Sequence, residues 1–303
     1  MTDFSLNKHN KTVLSGGQSQ KMQNAGMLYL VATPIGNLGD ITNRAIETLK
    51  TVDFILAEDT RVTKKLLNAF GIQRPIYRAD EEFMEKISAT TIDALAAGKN
   101  IALVSDAGTP CVSDPGQRLS QNVIDAGFEI YPIPGASSVL AGLVASGIDA
   151  KQFAFMGFIP NKTKARKDFF QSLLNYPMTL IMFETGPRLL DSLRDFEEIF
   201  GIRKICVARE LTKLYEEKTR GTIKEVLEIY NAKGAPKGEI VIILEGAKPQ
   251  EITIDDDEII EMIKARINHQ SVKEIANEIA KLSGRKSREI YEMTVKLKQN
   301  GKN

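Results

Sequence analysis

The sequence predicts an α/β protein built from two successive α/β domains and a small helical module. Three observations lead there. From Met27 onward, short continuous apolar runs alternate with amphipathic stretches of helical period. A second series of the same kind begins near Ala150, and the stretch from Asp255 onward is helical in pattern. Apolar runs without polar alternation, each followed by a helix, argue for a mostly parallel sheet covered on both faces. The boundaries read from the pattern are an extension over 1–26, domains over 27–149 and 150–247, a linker over 248–254 and the helical module over 255–303.

In the first domain, Leu28 to Ala32 reads as a strand, Thr33 to Asp40 as a loop and Thr42 to Lys50 as a helix. Asp53 to Ala57 is a second strand, and Thr60 to Phe70 a helix stopped by Gly71. A polar helix spans Glu81 to Ala97. Strand Ile101 to Ser105, helix Gln117 to Ala126 and strand Glu129 to Tyr131 follow, and a helix of small residues runs from Pro134 to Ser146. In the second domain the strands are Phe153 to Met156, Thr179 to Phe183, Ile205 to Ala208 and Glu239 to Leu244. Helices over Lys164 to Leu174, Arg188 to Phe200 and Ile223 to Ala232 lie between them. Asp255, Asp256, Asp257 and Glu258 put carboxylates at a helix start, where the dipole favours them. Ser271 to Ala280, a Ser283-Gly284 turn and Ser287 to Lys298 resemble a helix-turn-helix pair, and from Ser271 through Lys302 the cations outnumber the carboxylates by four.

Composition narrows the function. A net charge of +1 gives no global sign of a polyanionic partner, so any such case must rest on local patches. Two cysteines, Cys111 and Cys206, form no CxxC pair, and the two histidines, His9 and His269, lie outside the expected cores. A zinc or other metal site and a His-based triad are therefore not expected. No apolar run reaches membrane-spanning length, and the polar first 26 residues lack the apolar stretch of a signal peptide. Those residues read as a disordered extension, and the protein as cytoplasmic, with no membrane partner.

Three Gly/Pro-rich turns each follow a strand of the first domain: Thr33 to Gly36, Ser105 to Pro110, and Pro132 to Ser138. Turns at the carboxyl ends of parallel strands gather on one edge, where ligands bind, and glycine and serine let a ligand approach the backbone closely. A single turn of this kind is ordinary βα chemistry; three in series argue for a site. No GxGxxG or GxxxxGK[ST] occurs, which disfavours a dinucleotide-binding Rossmann domain and excludes a P-loop NTPase.

The residues also carry a family resemblance. Leu30 to Ile41, Ala57-Glu-Asp-Thr-Arg61, Leu103 to Pro110, Ser113-Asp-Pro-Gly116 and Ile133 to Ser138 resemble the tetrapyrrole methylase superfamily, and within it the ribosomal RNA small subunit methyltransferase I family. Phe155 to Phe158, Phe183 to Arg188, Ala208 to Lys213 and Lys237 to Val241 continue the match, so that it runs from Met27 to about Gly246. The resemblance implies S-adenosylmethionine-dependent methyl transfer to the ribose 2′-hydroxyl of a cytidine in the decoding region of 16S rRNA. It implies two domains of tetrapyrrole-methylase type with the cofactor cleft between them, commonly as a homodimer, with the small ribosomal subunit as partner and no DNA. Residue by residue, it implies that Pro34, Gly108, Thr109, Pro110, Val112, Ser137 and Ser138 line the cofactor from the first domain. From the second it implies Met182, Ala208, Gly238 and Glu239. Where related methylases carry Gly-Asp-Pro, this chain has Gly108-Thr109-Pro110, and Asp106 is the acid nearby.

Methyl transfer from a sulfonium asks chiefly for alignment, with a group nearby to accept or orient the hydroxyl proton. The candidates are Glu58, Asp59, Asp106, Glu184 and Glu210, with Arg61, Arg188 and Arg209 available for phosphates. Two readings stand for several of them: Glu58 and Asp59 as catalytic groups or as helix caps, and Glu184 with Arg188 as catalytic or as a salt bridge. Lys162, Lys164, Arg166 and Lys167 form a basic run that is either an RNA grip or a solvated helix face. Arg285, Lys286 and Arg288 in the tail are candidate RNA-docking cations, or belong to a packing appendage. A tetrapyrrole methylase and a non-catalytic nucleic-acid-binding regulator are the competing functions.

Overall fold

The structure, a computed structural model, describes residues 25–79, 84–114, 116–248 and 255–300. The expected extension up to residue 24, the first three residues of the expected helix from Glu81, and the linker beyond Lys248 lie outside the described residues. Gly26, placed in the extension by its sequence, is buried and donates its N–H to Leu95 O at 2.8 Å. The chain divides into two compact units after Ala247.

The first unit holds two five-stranded sheets. The first sheet consists of β1 (Leu28–Val31), β2 (Phe54–Ala57), β3 (Ile76–Arg78), β4 (Ile101–Val104) and β5 (Ile130–Ile133), in the order β3-β2-β4-β1-β5 and parallel throughout. Around it run α1 (Asn43–Thr51), α2 (Thr60–Ala69), α3 (Met84–Ala96), α4 (Gly116–Asp125) and α5 (Ser138–Ser146). The period of two in β4 explains its unbroken hydrophobicity: Ala102 and Val104 pack with Leu49 of α1 and Leu67 of α2 on one face. Ile101 and Leu103 pack with Leu95 of α3 and Leu119 of α4 on the other.

The second sheet holds β6 (Phe153–Phe158), β7 (Thr179–Thr185), β8 (Lys204–Arg209), β9 (Glu217–Thr222) and β10 (Glu239–Leu244), ordered β6-β7-β10-β8-β9. Only β6 and β7 are parallel; β10 runs antiparallel to both β7 and β8, and β9 antiparallel to β8. The strand–helix alternation breaks in this sheet at β8, which turns into β9 through a short loop with no crossover helix. Two strands are absent from the sequence reading. β3 is three residues long, and β9, Glu-Lys-Thr-Arg-Gly-Thr, is a polar edge strand without the apolar run that marks its neighbours.

One face of the second sheet is covered by α6 (Thr163–Leu173), α7 (Leu189–Phe200) and α8 (Ile223–Lys233), through Phe170, Phe196 and Tyr230. The opposite face receives α5, whose Val139 and Leu143 pack on Ile181, Cys206, Val241 and Ile243. Gly142 is what lets them approach: a Cβ there would sit 3.0 Å from Val241 Cγ1. Arg220 of β9 then donates to the carbonyls of Ala145 and Ser146 at the end of α5, where a cation meets the negative end of the helix dipole.

The second unit is a three-helix module of α9 (Asp256–Arg266), α10 (Val272–Ser283) and α11 (Ser287–Asn300), packed around Ile259, Ile263, Ile275, Ile279 and Ile290. Asp255 caps α9, Ser271 and Glu274 form a reciprocal capping box at α10, and Gly284 ends it with φ +70°. No helix among the described residues is long and apolar enough to cross a membrane.

Candidate functional site

The three turns singled out in the sequence meet at the carboxyl edge of the first sheet and are tied together by hydrogen bonds. Thr33 and Gly108 exchange backbone bonds, N–H to O at 2.9 and 3.0 Å. The Thr33 hydroxyl donates to Ser105 O at 3.1 Å, and the Ser105 hydroxyl donates to Gly108 O at 3.0 Å. Thr109 reaches the third turn, its hydroxyl donating to Ala136 O at 3.2 Å. Gly108 is required twice over. Its φ is +85°, and an added Cβ would lie 3.3 Å from Ile35 Cγ2. Ser137 accepts from Leu140 N and so caps α5. Among the described residues, four non-glycine residues hold positive φ, Cys111, Ser113, Glu210 and Thr212, in the loops that follow β4 and β8. Such strain concentrates where surrounding structure over-determines a site.

Between these loops and the inner face of the second sheet lies a cavity of about 360 Å³. Glu58, Asp106, Val112, Ser138, Glu184, Ala208 and Glu239, all anticipated, line it, together with Ile35, Ser105, Ala107, Ser113, Asp114, Phe158, Phe183, Leu211 and Val241. Those additional residues were missed for a common reason. Apolar side chains such as Phe183 and Leu211 read as core, and Asp114 reads as a turn former. Asp114 does serve the turn, accepting from Cys111 N at 2.7 Å and Gly116 N at 3.0 Å.

Other anticipated residues stand elsewhere. Pro34 lines a smaller neighbouring cavity. Thr109 and Ser137 spend their hydroxyls on the loop bonds just described, and Pro110 is buried. The Met182 side chain is fully buried with Leu180, Ile240 and Ile242 beneath the outer helices, because strand parity turns its neighbours Ile181 and Phe183 toward the inner face instead. Gly238, with φ +102°, makes room for Glu210, whose Oε1 accepts from Glu239 N and from Lys213 Nζ, both at 3.0 Å. The Glu239 N–H leads, with Lys213 behind it, in holding the Glu210 carboxyl below its usual range.

The electrostatics of the cavity are one-sided. Among the described residues its lining carries carboxylates and no Lys, Arg or His. Burial, then the charges of Asp106, Asp114 and Asp59, push Glu58 above the ordinary carboxylate range. Asp114 is raised as well, chiefly by burial. Asp106 Oδ1 accepts from Asp59 N at 3.1 Å, which locks the second turn to the start of α2. Asp59 itself caps that helix through Arg61 N at 2.8 Å and pairs with the Arg61 guanidinium at 2.6 Å, which brings its pKa down to about 2. The cap reading therefore describes the contacts of Asp59 and Arg61. Glu184 likewise lies in a structural network: its fully buried carboxylate meets Arg188 Nε at 3.1 Å and accepts from Ser192 Oγ at 2.5 Å and Thr185 N at 2.8 Å. Arg209 pairs with Glu217 at 3.3 Å.

The basic run divides sharply. Arg166 is buried and bound to Asp195 at 2.6 Å, and Lys167 bridges Glu198 at 2.6 Å and Asp195 at 3.7 Å. Arg166 is thus withdrawn from any RNA grip by a helix–helix ion pair between α6 and α7, whereas Lys162 and Lys164 are exposed. In the helical module Arg285 pairs with Asp256 at 2.6 Å and Glu289 at 3.1 Å, and Arg288 with Glu292 at 3.1 Å, while Lys286 is exposed. Among the described residues no group of three His, Cys, Asp or Glu side chains could hold a metal ion.

Comparison with known proteins fits this architecture. The sequence profile of the tetrapyrrole (corrin/porphyrin) methylases matches residues 27–227. The chain is 41% identical over 283 residues to the ribosomal RNA small subunit methyltransferase I of Synechocystis, covering 91% of this chain and 100% of that one. It is 46% identical over 233 residues to the protein of that name from Bacillus subtilis, covering 77% of this chain and 79% of the relative. The crystal structure of the methyltransferase CobJ superposes with a TM-score of 0.55 at 16% identity, over 74% of this chain and 95% of that one, a likeness of fold.

Proposed function

Because the chain belongs to the ribosomal RNA small subunit methyltransferase I family of tetrapyrrole methylases, we propose that it transfers a methyl group from S-adenosylmethionine to a ribose 2′-hydroxyl, that of a cytidine in the decoding region of 16S rRNA. The observation that carries this reading is the acidic cavity at the three stapled turns. Its donor set suits the cofactor: the apolar Ile35, Val112 and Leu211 accept an adenosyl body, and the carboxylates of Glu58, Asp106 and Asp114 attract a molecule bearing a sulfonium and an ammonium. The same field disfavours RNA phosphates inside the cavity. In this reading 27–149 and 150–247 are the two methylase domains; Val112, Ser138, Ala208 and Glu239 hold the cofactor by side chain, and Gly108, Thr109, Pro110, Ser137, Met182 and Gly238 by backbone alone.

When bound, the cofactor supplies a methyl group already activated by positive sulfur, so the protein's task is orientation. Glu58 and Asp106 are the carboxylates placed to take the hydroxyl proton, and the raised affinity of Glu58 for protons makes it the better base near neutral pH. Lys162, Lys164 and Lys286 supply exposed charge for the RNA backbone of the small subunit. The exposed Leu140 and Val144, one turn apart on α5, support a homodimer, and the family's substrate supports a cytoplasmic location.

Calorimetry with S-adenosylhomocysteine tests the site. Val112 is 42% exposed, so Val112→Trp fills the cavity without disturbing the core, and the affinity should fall at least about tenfold, 1.4 kcal/mol. Unchanged affinity would remove the cofactor from this cavity. Mapping 2′-O-methylation on 16S rRNA from cells with and without the gene tests the acceptor.

A further inference from the structure

Strand β6 carries one residue more than its neighbour β7 can pair. Phe153, Ala154 and Phe155 match Thr179, Leu180 and Ile181 in order, but Phe158 matches Phe183, so Met156 and Gly157 together stand opposite Met182. The extra residue makes a β-bulge, and Gly157, with φ +73°, takes the turn of the backbone. The ladder then resumes at once, Ile159 donating its N–H to Phe183 O at 3.0 Å.

A shift of one residue exchanges the two faces of a strand. Before the bulge, Ala154 and Met156 pack into the core beneath the outer helices, and Phe155 lies on the inner face with Ile181 and Phe183. An unbroken strand would send Phe158 outward after Met156. The bulge turns it inward instead. Its ring meets that of Phe183 edge-on, with 5.3 Å between centroids, and lines the acidic cavity. Phe158 is also 57% exposed, so it stands where the cavity opens to water. The first domain closes on the same place: a Cβ on Gly157 would lie 3.8 Å from Oγ of Ser113, another residue of the lining. A lone exposed apolar side chain is ordinary on a protein surface. This one borders a cavity, and a backbone irregularity is what aims it there.

At about 360 Å³ the cavity lies at the small end of the range for sites that hold one small molecule. Once it holds the cofactor, an acceptor approaches from its open side. Its carboxylates repel phosphate, whereas a base and a ribose carry no charge. A base drawn out of its stack recovers stacking on an aromatic side chain. We propose that Phe158 is the platform on which the acceptor nucleotide of a single-stranded RNA segment lays its base. The ring holds the base at the mouth, the ribose enters, and the phosphates stay outside. The exposed Lys162 and Lys164 follow four and six residues further along the chain, available for those phosphates. The assignment rests on the methyl-transfer reading and adds to it the residue that receives the RNA.

The test reads stacking directly. A short single-stranded oligoribonucleotide carrying pyrrolocytidine, a cytidine analogue that dims when stacked, is titrated with the full chain saturated with S-adenosylhomocysteine. Calorimetry follows S-adenosylhomocysteine itself. The parent should quench the analogue. Phe158→Leu keeps an apolar side chain at an exposed position, so it should melt with the parent and bind S-adenosylhomocysteine within about twofold of it. It should nonetheless lose the quenching, and RNA affinity should fall about fivefold or more. Phe158→Trp should restore both. Equal quenching and affinity in the parent and Phe158→Leu would overturn the platform and leave the methyl-transfer reading standing. Loss of S-adenosylhomocysteine affinity in Phe158→Leu would assign the ring to the cofactor and overturn the platform as well. A parent chain that binds S-adenosylhomocysteine but not the oligonucleotide also overturns it, and one that binds neither refutes both readings.

Discussion

Gly238→Ala probes the joint between β8 and β10 that shapes the second-sheet wall of the cavity. The backbone at Gly238 has φ +102°, a region L-residues avoid at a cost of about 1–2 kcal/mol. The new Cβ would also fall within 3.0 Å of the Glu210 carboxylate. That carboxylate is a flexible group, but it is tethered: Glu239 N–H and Lys213 Nζ both donate to its Oε1. Moving it forfeits a hydrogen bond to a charged acceptor, about 1.5–3 kcal/mol. The alanine recovers about 0.4–1 kcal/mol by stiffening the unfolded chain. The net expectation is a loss of about 2–4 kcal/mol in urea unfolding followed by circular dichroism. A double-mutant cycle separates the two causes. With Glu210→Ala in place the clash is gone, and Gly238→Ala should cost only its backbone share, about 1 kcal/mol. A cost below about 1 kcal/mol in the parent, or equal costs in both backgrounds, would refute the reasoning.

Further outcomes follow from the contacts. Arg166→Ala should destabilise the protein by about 3 kcal/mol by leaving the buried Asp195 with only the longer contact to Lys167, whereas Lys164→Ala should not; equal unfolding midpoints would contradict the ion-pair assignment. Glu58→Gln should slow methyl transfer at least about tenfold. It should also raise stability at neutral pH, because the ionised Glu58 is disfavoured by burial and by Asp106, Asp114 and Asp59. That gain should vanish as the pH falls through the raised folded-state value to the ordinary one, where Glu58 is neutral in both states; a gain that grows on acidification would reverse the sign. Ser271→Ala removes the capping box of α10 and should cost about 1 kcal/mol, detected as faster amide exchange in residues 272–283 and not in the sheets.

The identity of the elements was legible because it is local chemistry. Unbroken apolarity marked β1 and β4 as doubly covered strands, Ser271 with Glu274 and then Gly284 bracketed α10, and the three Gly/Pro turns lay at strand ends that a parallel sheet must bring to one edge. The sequence by itself therefore determined the alternation of elements, the parallel first sheet and the gathering of the three turns at one edge of it. What only the tertiary structure decided is which partner each side chain meets. Arg166 sits in the same basic run as Lys162 and Lys164, and only the docking of α7, with Asp195 inward, makes it a buried ion pair. Met182 and Ala208 look alike as strand residues beside a site, yet β7 turns the Met182 side chain to the outer core while β8 turns Ala208 to the cavity. The small-residue run of α5 carries no sign that Gly142 exists for Val241, a residue of the other sheet. Periodicity and capping depend on neighbours within a few positions, so one strand of letters records them; burial and charge pairing depend on residues brought together across the fold.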